Sequence, residues 1–296
     1  MKVALLGPVV KNKITVDRTT TVRIGGIPYY EGVALKNLGA DVVVYATYDS
    51  NDDAWVRKNF EQVEVVRIPA ERTIEFERFY SSANPDACIS VVARYARNRI
   101  DAAPELMRQL NSFDFVCFGP LFYDNISPLL FTAIHRGKIV LGSFGMFAYP
   151  KGESIAWKNP EYLIRVAPHL SHLFLDDREI TFVAQKKSID EAVRFMQTKT
   201  DAVIVVTLGS EGSMVFAGRE KYQIPAFPPA NIGDPTGAGD TYAAAFIRAT
   251  NLYASPVSHG TFAAMAATMK IESRGAFSGS VRDVLARLAA SGIMLK

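Results

Sequence analysis

Short apolar runs and segments of helical apolar spacing alternate along most of the chain. Six runs rich in β-branched residues predict strands, and several are unbroken, as expected for strands buried on both faces of a parallel sheet. The predicted strands are residues 3–6, 42–46, 113–118, 138–141, 172–175 and 202–208. The predicted helices are residues 29–38, 52–59, 103–110, 128–135, 160–166, 189–198, 240–250, 255–270 and 281–290. This alternation predicts right-handed βαβ units, and therefore an α/β fold with a doubly wound, mostly parallel sheet.

Two segments break the alternation, because they carry β-type runs without a clear helix. The first, residues 14–24, is rich in Thr, Val and Ile. The β-type runs of the second segment are residues 63–68, 73–80 and 88–93. Together the segments predict a small antiparallel sheet that projects from the main body, and an ordinary edge hairpin is the alternative. We expect a single domain over residues 1–296, with lid segments near 13–25 and 63–99.

The composition is that of an ordinary globular protein with a large core: 49% of the 296 residues are hydrophobic and 21% are charged. A net charge of +3 and the lack of a long basic run argue against nucleic-acid binding. No apolar stretch approaches the ~20 residues of a membrane span, and the N-terminal run is too short for a signal peptide. Cys88 and Cys117 match no metal or redox spacing, so we expect a reduced, cytoplasmic protein.

The most informative segment, residues 231–246, combines small residues, a carboxylate and a predicted helix. Gly237, Ala238 and Gly239 let backbone N–H groups approach an anion closely at the start of that helix, where the helix dipole also favours negative charge. Asp240 lies at the mouth of this anion site, where it can accept a proton from an attacking hydroxyl. The alternative is a glycine-rich turn in which Asp240 only caps the helix.

Residues 234–240 (DPTGAGD) resemble the Asp-Thr-x-Gly-Ala-Gly-Asp signature of the ribokinase (PfkB) family of carbohydrate and nucleoside kinases, with Pro235 in place of the usual Thr. The resemblance implies an ATP-dependent, Mg²⁺-requiring phosphotransferase whose β lid closes over a small-molecule substrate. It makes Asp240 the base and the N–H groups of residues 237–239 the donors to the transferring phosphoryl group. Lids of this family often pair between subunits, which implies a homodimer.

The resemblance extends to the nucleotide site. Residues 204–216 read as a strand, a turn with two glycines and a second strand, which on its own indicates a β-hairpin. In the family this place carries a Thr-Leu-Gly-x-x-Gly element along the ATP phosphates, so Thr207, Gly209 and Gly212 are the implied phosphate-side residues. Residues in the helix near Ala264 and Thr268 are implied to border the adenine.

Two metal sites are implied in the same way. Asp176 and Glu179 stand at the family's Asn-x-x-Glu, which helps to hold Mg²⁺ through water, and an acidic helix start is the alternative. Asp234 and Thr236, together with the loop at residues 274–276, resemble a site for a monovalent cation such as K⁺. A glycine that ends the preceding helix is the alternative interpretation of that loop.

The residues at the implied substrate-binding positions depart in part from the family pattern. Gly25 and Gly26 resemble the di-glycine that contacts substrate hydroxyls, although a helix with glycines outside each end is the alternative. Asn12 replaces the usual Asp, and Tyr30 replaces the usual Asn. Both side chains that usually bind sugar hydroxyls in the family are therefore changed, which argues against a ribokinase-like pentose. Asn can still pair with a hydroxyl, and Tyr can stack on a ring or a base.

Three classes of function follow from these patterns. The first is a kinase acting on a small sugar, polyol or nucleoside, and the variants at residues 29–30 and 119–121 resemble inositol and nucleoside kinases. The second is a catalytically idle family member that binds a sugar or nucleotide as a sensor or interaction module. The third, a nicotinamide-dependent oxidoreductase, lacks its fingerprint, because the glycine cluster does not follow the first strand. The P-loop string is also missing, which excludes a P-loop kinase.

Overall fold

The computed structural model describes residues 1–80, 90–94 and 97–295, and every structural statement below concerns those residues. The strands are β1 (Lys2–Pro8), β2 (Val10–Val16), β3 (Thr19–Gly25), β4 (Asp41–Tyr48), β5 (Glu64–Pro69), β6 (Ile74–Tyr80), β7 (Ser90–Arg94), β8 (Phe115–Phe118), β9 (Lys138–Gly142), β10 (Ala148–Lys151), β11 (Ser154–Trp157), β12 (His172–Asp176), β13 (Val203–Thr207), β14 (Ser213–Ala217) and β15 (Glu220–Ile224). The helices are α1 (Ile27–Asn37), α2 (Asp53–Phe60), α3 (Pro104–Leu110), α4 (Pro128–Ala133), α5 (Glu161–Val166), α6 (Asp177–Ala184), α7 (Ile189–Gln197), α8 (Ala238–Ala249), α9 (Pro256–Ile271) and α10 (Val281–Ala290).

The main sheet of the described chain has nine strands, in the order β15-β14-β13-β12-β9-β8-β1-β4-β5. The seven strands from β13 to β5 run parallel, and β14 and β15 continue the β13 edge in antiparallel fashion. The parallel strands place their carboxyl ends along one edge of the sheet, which is where ligands bind in open α/β sheets.

Helices cover both faces of this sheet, as the side chains of strand β1 show. Val3 and Leu5 pack into a core with α1, α2, α8, α9 and α10, whereas Ala4 and Leu6 pack into a second core with α3 to α7. All four side chains have no exposed surface. Successive side chains of a strand point to opposite faces, so an unbroken apolar run marks a strand that is covered on both sides. The predicted doubly wound α/β fold is confirmed.

The six predicted strands correspond to β1, β4, β8, β9, β12 and β13, and the nine predicted helices to all but one of the helices above. The exception is α6, which begins at the acidic cluster that we interpreted alternatively as a helix start. Helix α8 begins at Ala238, two residues before the predicted start, because Gly237 adopts a left-handed conformation that turns the chain into the helix. The hairpin of β10 and β11 and the edge strand β15 were not predicted.

A separate four-stranded sheet, in the order β3-β2-β6-β7, forms the lid. The β2–β3 and β6–β7 pairs are antiparallel as expected, whereas the central β2–β6 pair is parallel. Part of the predicted lid is wrong, because residues 63–68 belong to β5 at the edge of the main sheet. Helix α2 lies between β4 and β5, and such a strand–helix–strand unit returns the chain to the same sheet. The start of the predicted run at Cys88 falls outside the described residues.

No helix in the described part of the chain combines the length and the apolar character that crossing a bilayer requires.

The lid offers an unpaired edge at β3, and the predicted homodimer would cover it. Val22 on this strand leaves 49% of its surface exposed. We expect the purified protein to show twice the 32.5 kDa chain mass in light scattering, and Val22→Asp to give monomers, because a charge would be buried in the contact.

Leu129→Asp is the matched control, since Leu129 is also exposed but lies on α4, outside the lid. It should leave the dimer intact. A wild-type protein that is monomeric at every concentration would contradict the lid pairing.

Candidate active site

The first turn of α8 presents backbone N–H groups to open space. The N–H of Ala238 donates to the carbonyl of Pro235 at 3.1 Å, and the N–H of Thr241 donates to that of Gly237 at 2.9 Å. The N–H groups of Gly239 and Asp240 have no hydrogen-bond partner among the described residues. The N–H of Gly237 has no partner there either, so among the residues predicted for the anion site only Ala238 has its donor occupied, and Asp240 adds a further free donor at the positive end of the helix dipole.

Two glycines of this turn serve different purposes. Gly237 has φ 81°, and a Cβ atom there would lie 2.3 Å from Cδ1 of Tyr30, so the backbone packs against the tyrosine ring. A Cβ atom on Gly239 would meet nothing within 4 Å. Gly237 is thus required by the fold, whereas Gly239 leaves room at the mouth of the helix.

A cavity of about 250 Å³ lies in front of this turn, beside the carboxyl ends of β12 and β13. It brings together five of the predicted site residues, which are Asp176, Glu179, Thr207, Gly239 and Asp240. Ile27 and Glu31 of α1 form part of its wall. Asp176, Glu179 and Asp240, which are far apart in sequence, therefore line one space, whereas the predicted residues at positions 234 and 236–238 are not among its lining residues.

Asp240 lies in the first turn of α8 and lines this cavity. Burial raises the pKa of its carboxyl group to about 6. A carboxyl group with a pKa close to neutrality is well suited to accept a proton and to release it again.

Glu31 is a cavity residue that the sequence analysis missed. It is buried within α1, and its pKa is raised well above the ordinary value by burial first and by the charge of Asp240 second. Its only sequence signal is a single acidic residue in the otherwise apolar segment 27–35 (IPYYEGVAL). A buried carboxyl group without an opposite charge is costly, so such an interruption is a usable sign of a site.

Asp176 and Glu179 form the capping box of α6. Oδ1 of Asp176 accepts from the N–H of Glu179 at 2.7 Å, and Oε2 of Glu179 accepts from the N–H of Asp176 at 3.0 Å and from the hydroxyl of Ser143 at 3.1 Å. Burial and the neighbouring Asp176 raise the pKa of Glu179 to about 7. The two residues that begin helix α6 are thus the same two residues that were predicted to bind the metal.

These two carboxyl groups fit a magnesium ion. No group of three or more His, Cys, Asp or Glu that could hold a metal occurs in the described residues. Mg²⁺, however, is ordinarily bound by one or two carboxylates together with substrate phosphates and waters. Asp176 and Glu179, which face the same cavity as the free N–H groups, are such a donor set.

The predicted nucleotide residues are only partly brought together. Thr207 ends β13 and lines the cavity, whereas Gly209 and Gly212 shape the turn between β13 and β14. Gly212 has φ 94°, and a Cβ atom there would lie 2.1 Å from the carbonyl oxygen of Ile224. Ala264 and Thr268 are buried on α9, outside the described cavity. The hydroxyl of Thr268 donates to the carbonyls of Phe227 and Ala264, so its hydrogen bonds are internal.

The predicted substrate residues lie where the lid meets α1. A Cβ atom on Gly25 would lie 2.1 Å from Nδ2 of Asn12, so the amide packs directly on this glycine, and the Tyr30 ring lies beside it. Gly26, with φ 100°, precedes α1 and approaches the carbonyl of Pro8. Oδ1 of Asn12 accepts from Nη1 of Arg78 at 2.8 Å. Arg78, which the sequence analysis missed, therefore brings a positive charge from the lid to this region.

The predicted monovalent-cation position already receives positive charge from this chain. Oδ1 of Asp234 accepts from the N–H of Thr236 at 2.9 Å, and Oδ2 lies 3.5 Å from Nη1 of Arg23 on the lid. The carbonyl of Asp234 accepts from Nζ of Lys270 at 2.7 Å. Neither cationic residue was identified from the sequence, since both look like ordinary surface charges.

Known proteins resemble this chain in sequence and in fold. The sequence pattern of the pfkB family carbohydrate kinases matches residues 33–282. The nucleoside kinase of Methanocaldococcus jannaschii is 28% identical over 130 residues, which cover 44% of this chain and 42% of that protein. Ribokinase of Arabidopsis thaliana, complexed with ribose and ATP, has a TM-score of 0.79 and 17% identity, covering 97% of this chain and 98% of that one. A pyrophosphate-dependent kinase of the ribokinase family, complexed with a pyrophosphate analog and myo-inositol, has a TM-score of 0.78 and 21% identity, covering 96% and 99%.

The match to the family covers most of the chain, so this protein belongs to the pfkB family of carbohydrate kinases. The resemblance inferred from residues 234–240 is confirmed, and so is the ribokinase-like fold with its lid. The chain matches about two fifths of the length of the curated nucleoside kinases.

The two glycines should respond differently to the same substitution. Gly237→Ala forces a Cβ into the Tyr30 ring at a left-handed backbone position, which should cost at least about 2 kcal/mol. We expect its melting temperature to fall by roughly 5 °C. Gly239→Ala, the matched control, adds the same atom to open space and should leave the melting temperature unchanged or slightly higher. Equal melting temperatures for the two variants would contradict the packing of Tyr30 on Gly237.

Proposed function

We propose that this protein transfers the γ-phosphate of ATP to a hydroxyl group of a small sugar, polyol or nucleoside. One observation carries the proposal. The free N–H groups at the start of α8, the carboxyl group of Asp240 and the acidic pair of Asp176 and Glu179 converge on a single cavity. An anion site, a base and a metal-binding pair are the three parts that phosphoryl transfer needs.

Asp240 accepts the proton of the attacking hydroxyl. Its carboxyl group is partly desolvated, so its pKa lies closer to neutrality than that of an exposed aspartate and suits it better to accept a proton. The N–H groups of Gly239 and Asp240 stabilise the negative charge that builds up on the transferring phosphoryl group. Because these donors are held by the helix, no reorganisation is needed when the charge develops.

Asp176 and Glu179 are the residues that would hold Mg²⁺. When bound, Mg²⁺ neutralises part of the phosphate charge. Glu179 ionises more readily beside a cation, which offsets the raised pKa that burial gives it.

ATP is the proposed donor, with its phosphates along Thr207, Gly209 and Gly212 and its adenine near Ala264 and Thr268. The Arabidopsis ribokinase structure contains ATP, which supports this choice. A similar fold also binds a pyrophosphate analog. The assay must therefore offer both ATP and inorganic pyrophosphate.

The acceptor lies between the lid and α1, against Asn12, Gly25, Gly26 and Tyr30. The Tyr30 ring offers a flat apolar face, which suits a ring-shaped acceptor better than the usual amide would. Nucleoside kinases among the relatives, and a neighbour complexed with myo-inositol, support nucleosides and cyclic polyols as the first acceptors to test. No observation favours the catalytically idle alternative.

The first test measures ADP release with ATP as donor, and phosphate release with pyrophosphate as donor, over a panel of pentoses, hexoses, inositols and nucleosides, in wild type and in Asp240→Asn. We expect the variant to lose at least about 100-fold in kcat, since it removes the general base. The kcat/KM of wild type should fall as the pH drops through about 6, because Asp240 acts as a carboxylate and is protonated below that value.

The fold of Asp240→Asn should be unharmed. The folded-state pKa is raised, so the ionised carboxylate costs stability above about pH 6, and the neutral amide should melt no lower than wild type at pH 8. Asp177→Asn is the matched control, because it removes an exposed aspartate from the first turn of α6. Turnover of Asp240→Asn within a few-fold of wild type would remove Asp240 from its role.

Acceptor choice should depend on the two departures from the family pattern. Asn12→Asp and Tyr30→Asn should shift the ranking of kcat/KM toward simple sugars and weaken the native acceptor by roughly 10-fold, the effect of leaving one buried polar group unpaired. Tyr30→Phe is the control, because it keeps the ring against Gly237 and loses only the hydroxyl. An unchanged ranking in both variants would mean that these side chains do not face the acceptor.

A further inference from the structure

Lys270 carries an ammonium group and is completely buried. It lies in the last turn of α9 and has no exposed surface. Its Nζ donates to the carbonyl oxygen of Asp234 at 2.7 Å and to that of Ser273 at 3.4 Å. Lysine is almost never fully buried unless it is paired, and here the partners are two backbone carbonyls, of Asp234 on the segment before Gly237 and of Ser273 just after α9.

The segment before Gly237 is anchored to the end of α9 around this lysine. The N–H groups of Gly233 and Asp234 both donate to the carbonyl of Ile271, at 2.8 and 3.1 Å. A Cβ atom on Gly233 would lie 2.9 Å from the carbonyl oxygen of Glu272, so the two backbones are in close contact. The carbonyls of Asp234 and Ser273, which belong to the two anchored segments, both point toward the ammonium group of Lys270, and such an arrangement of carbonyl dipoles favours a cation.

The predicted monovalent cation does not fit beside this arrangement. Asp234 was to supply it with ligands, but its carbonyl already accepts from Lys270 and its carboxylate already accepts from Thr236 and faces Arg23. An added K⁺ would have to displace the ammonium group or share the carbonyl oxygens with it. The K⁺ ion and the ammonium group would then contact the same carbonyl oxygens, and two cations that close together repel strongly inside a protein.

We propose that the Lys270 ammonium takes the place of the monovalent cation and makes this protein independent of K⁺. Lys270 is a positioning residue. It holds the carbonyl of Asp234, three residues before Gly237, and so keeps the turn that aims the N–H groups of Gly239 and Asp240 into the cavity. It also places a fixed positive charge behind the anion site, a role that rests on the proposed kinase function.

The experiment compares wild type and Lys270→Ala in potassium chloride and in choline chloride at equal ionic strength. Choline is too large for a lysine-sized space, whereas K⁺ is not. Wild type should show the same melting temperature and the same kcat/KM in both salts, within about twofold. Lys270→Ala in choline should melt at least about 3 °C lower and lose at least about 10-fold in kcat, because the turn loses its anchor.

Potassium should restore part of both losses in Lys270→Ala. Lys270→Met, which fills the space with an uncharged chain, should be impaired and should not respond to K⁺. Lys36→Ala is the matched control, since Lys36 also lies in the last turn of a helix, α1, but is not fully buried. It should behave as wild type in both salts.

Two results would overturn the proposal. One is a wild-type protein that K⁺ activates several-fold or stabilises by several degrees. The other is a folded Lys270→Ala variant whose melting temperature is the same in both salts. Because melting is measured without substrate, it is independent of the kinase assay. A protein with the expected melting behaviour that phosphorylates nothing would refute the proposed function and leave the role of Lys270 in the loop intact.

Discussion

The contact between the Gly237 backbone and the Tyr30 ring is the constraint on which the rest of the site depends. Gly237 turns the chain into α8 with a left-handed conformation, and a Cβ atom there would collide with the Tyr30 ring. Gly26, which precedes α1, also has a positive φ, of 100°. The starts of the two helices approach each other closely, and Gly239 and Asp240 of α8 line the same cavity as the buried Glu31 of α1. Any change that separates these helices moves donors, base and acceptor site together.

Charge is distributed unevenly around this contact. Four carboxyl groups line the cavity, and three of them, Glu31, Glu179 and Asp240, have raised pKa values because they are partly or fully removed from water. Two cationic residues contact Asp234, which precedes the turn at residues 237–239. Lys270 of α9 donates to its carbonyl, and Arg23 of the lid lies near its carboxylate. A negatively charged phosphate donor would complement the cationic residues, and the magnesium ion that it brings would complement the carboxyl groups. The protein by itself holds this arrangement at a cost in stability, which is usual for functional sites.

Most of the fold follows from local patterns, and the exceptions show where such patterns stop. Strands β1, β12 and β13 are recognisable because a strand buried on both faces must be apolar throughout. Residues 63–68 have the same β-type composition as the lid strands, yet form an edge strand of the main sheet. Strand propensity reports a pleated, half-buried environment and carries no information about the partner strand. The parallel pairing of β2 with β6 was missed for the same reason.

The sequence by itself determined the class of fold, the family and the glycine turn that is followed by Asp240. These depend on hydrophobic periodicity, on glycines and on residues that are neighbours along the chain. Only the tertiary structure decided that Glu31 joins Asp240 in one cavity and that Lys270 binds a carbonyl 36 residues away. A lysine in the last turn of a helix is an ordinary surface residue by every local rule, because it complements the helix dipole. Its burial results from the chain that folds over it, and that depends on packing between distant segments.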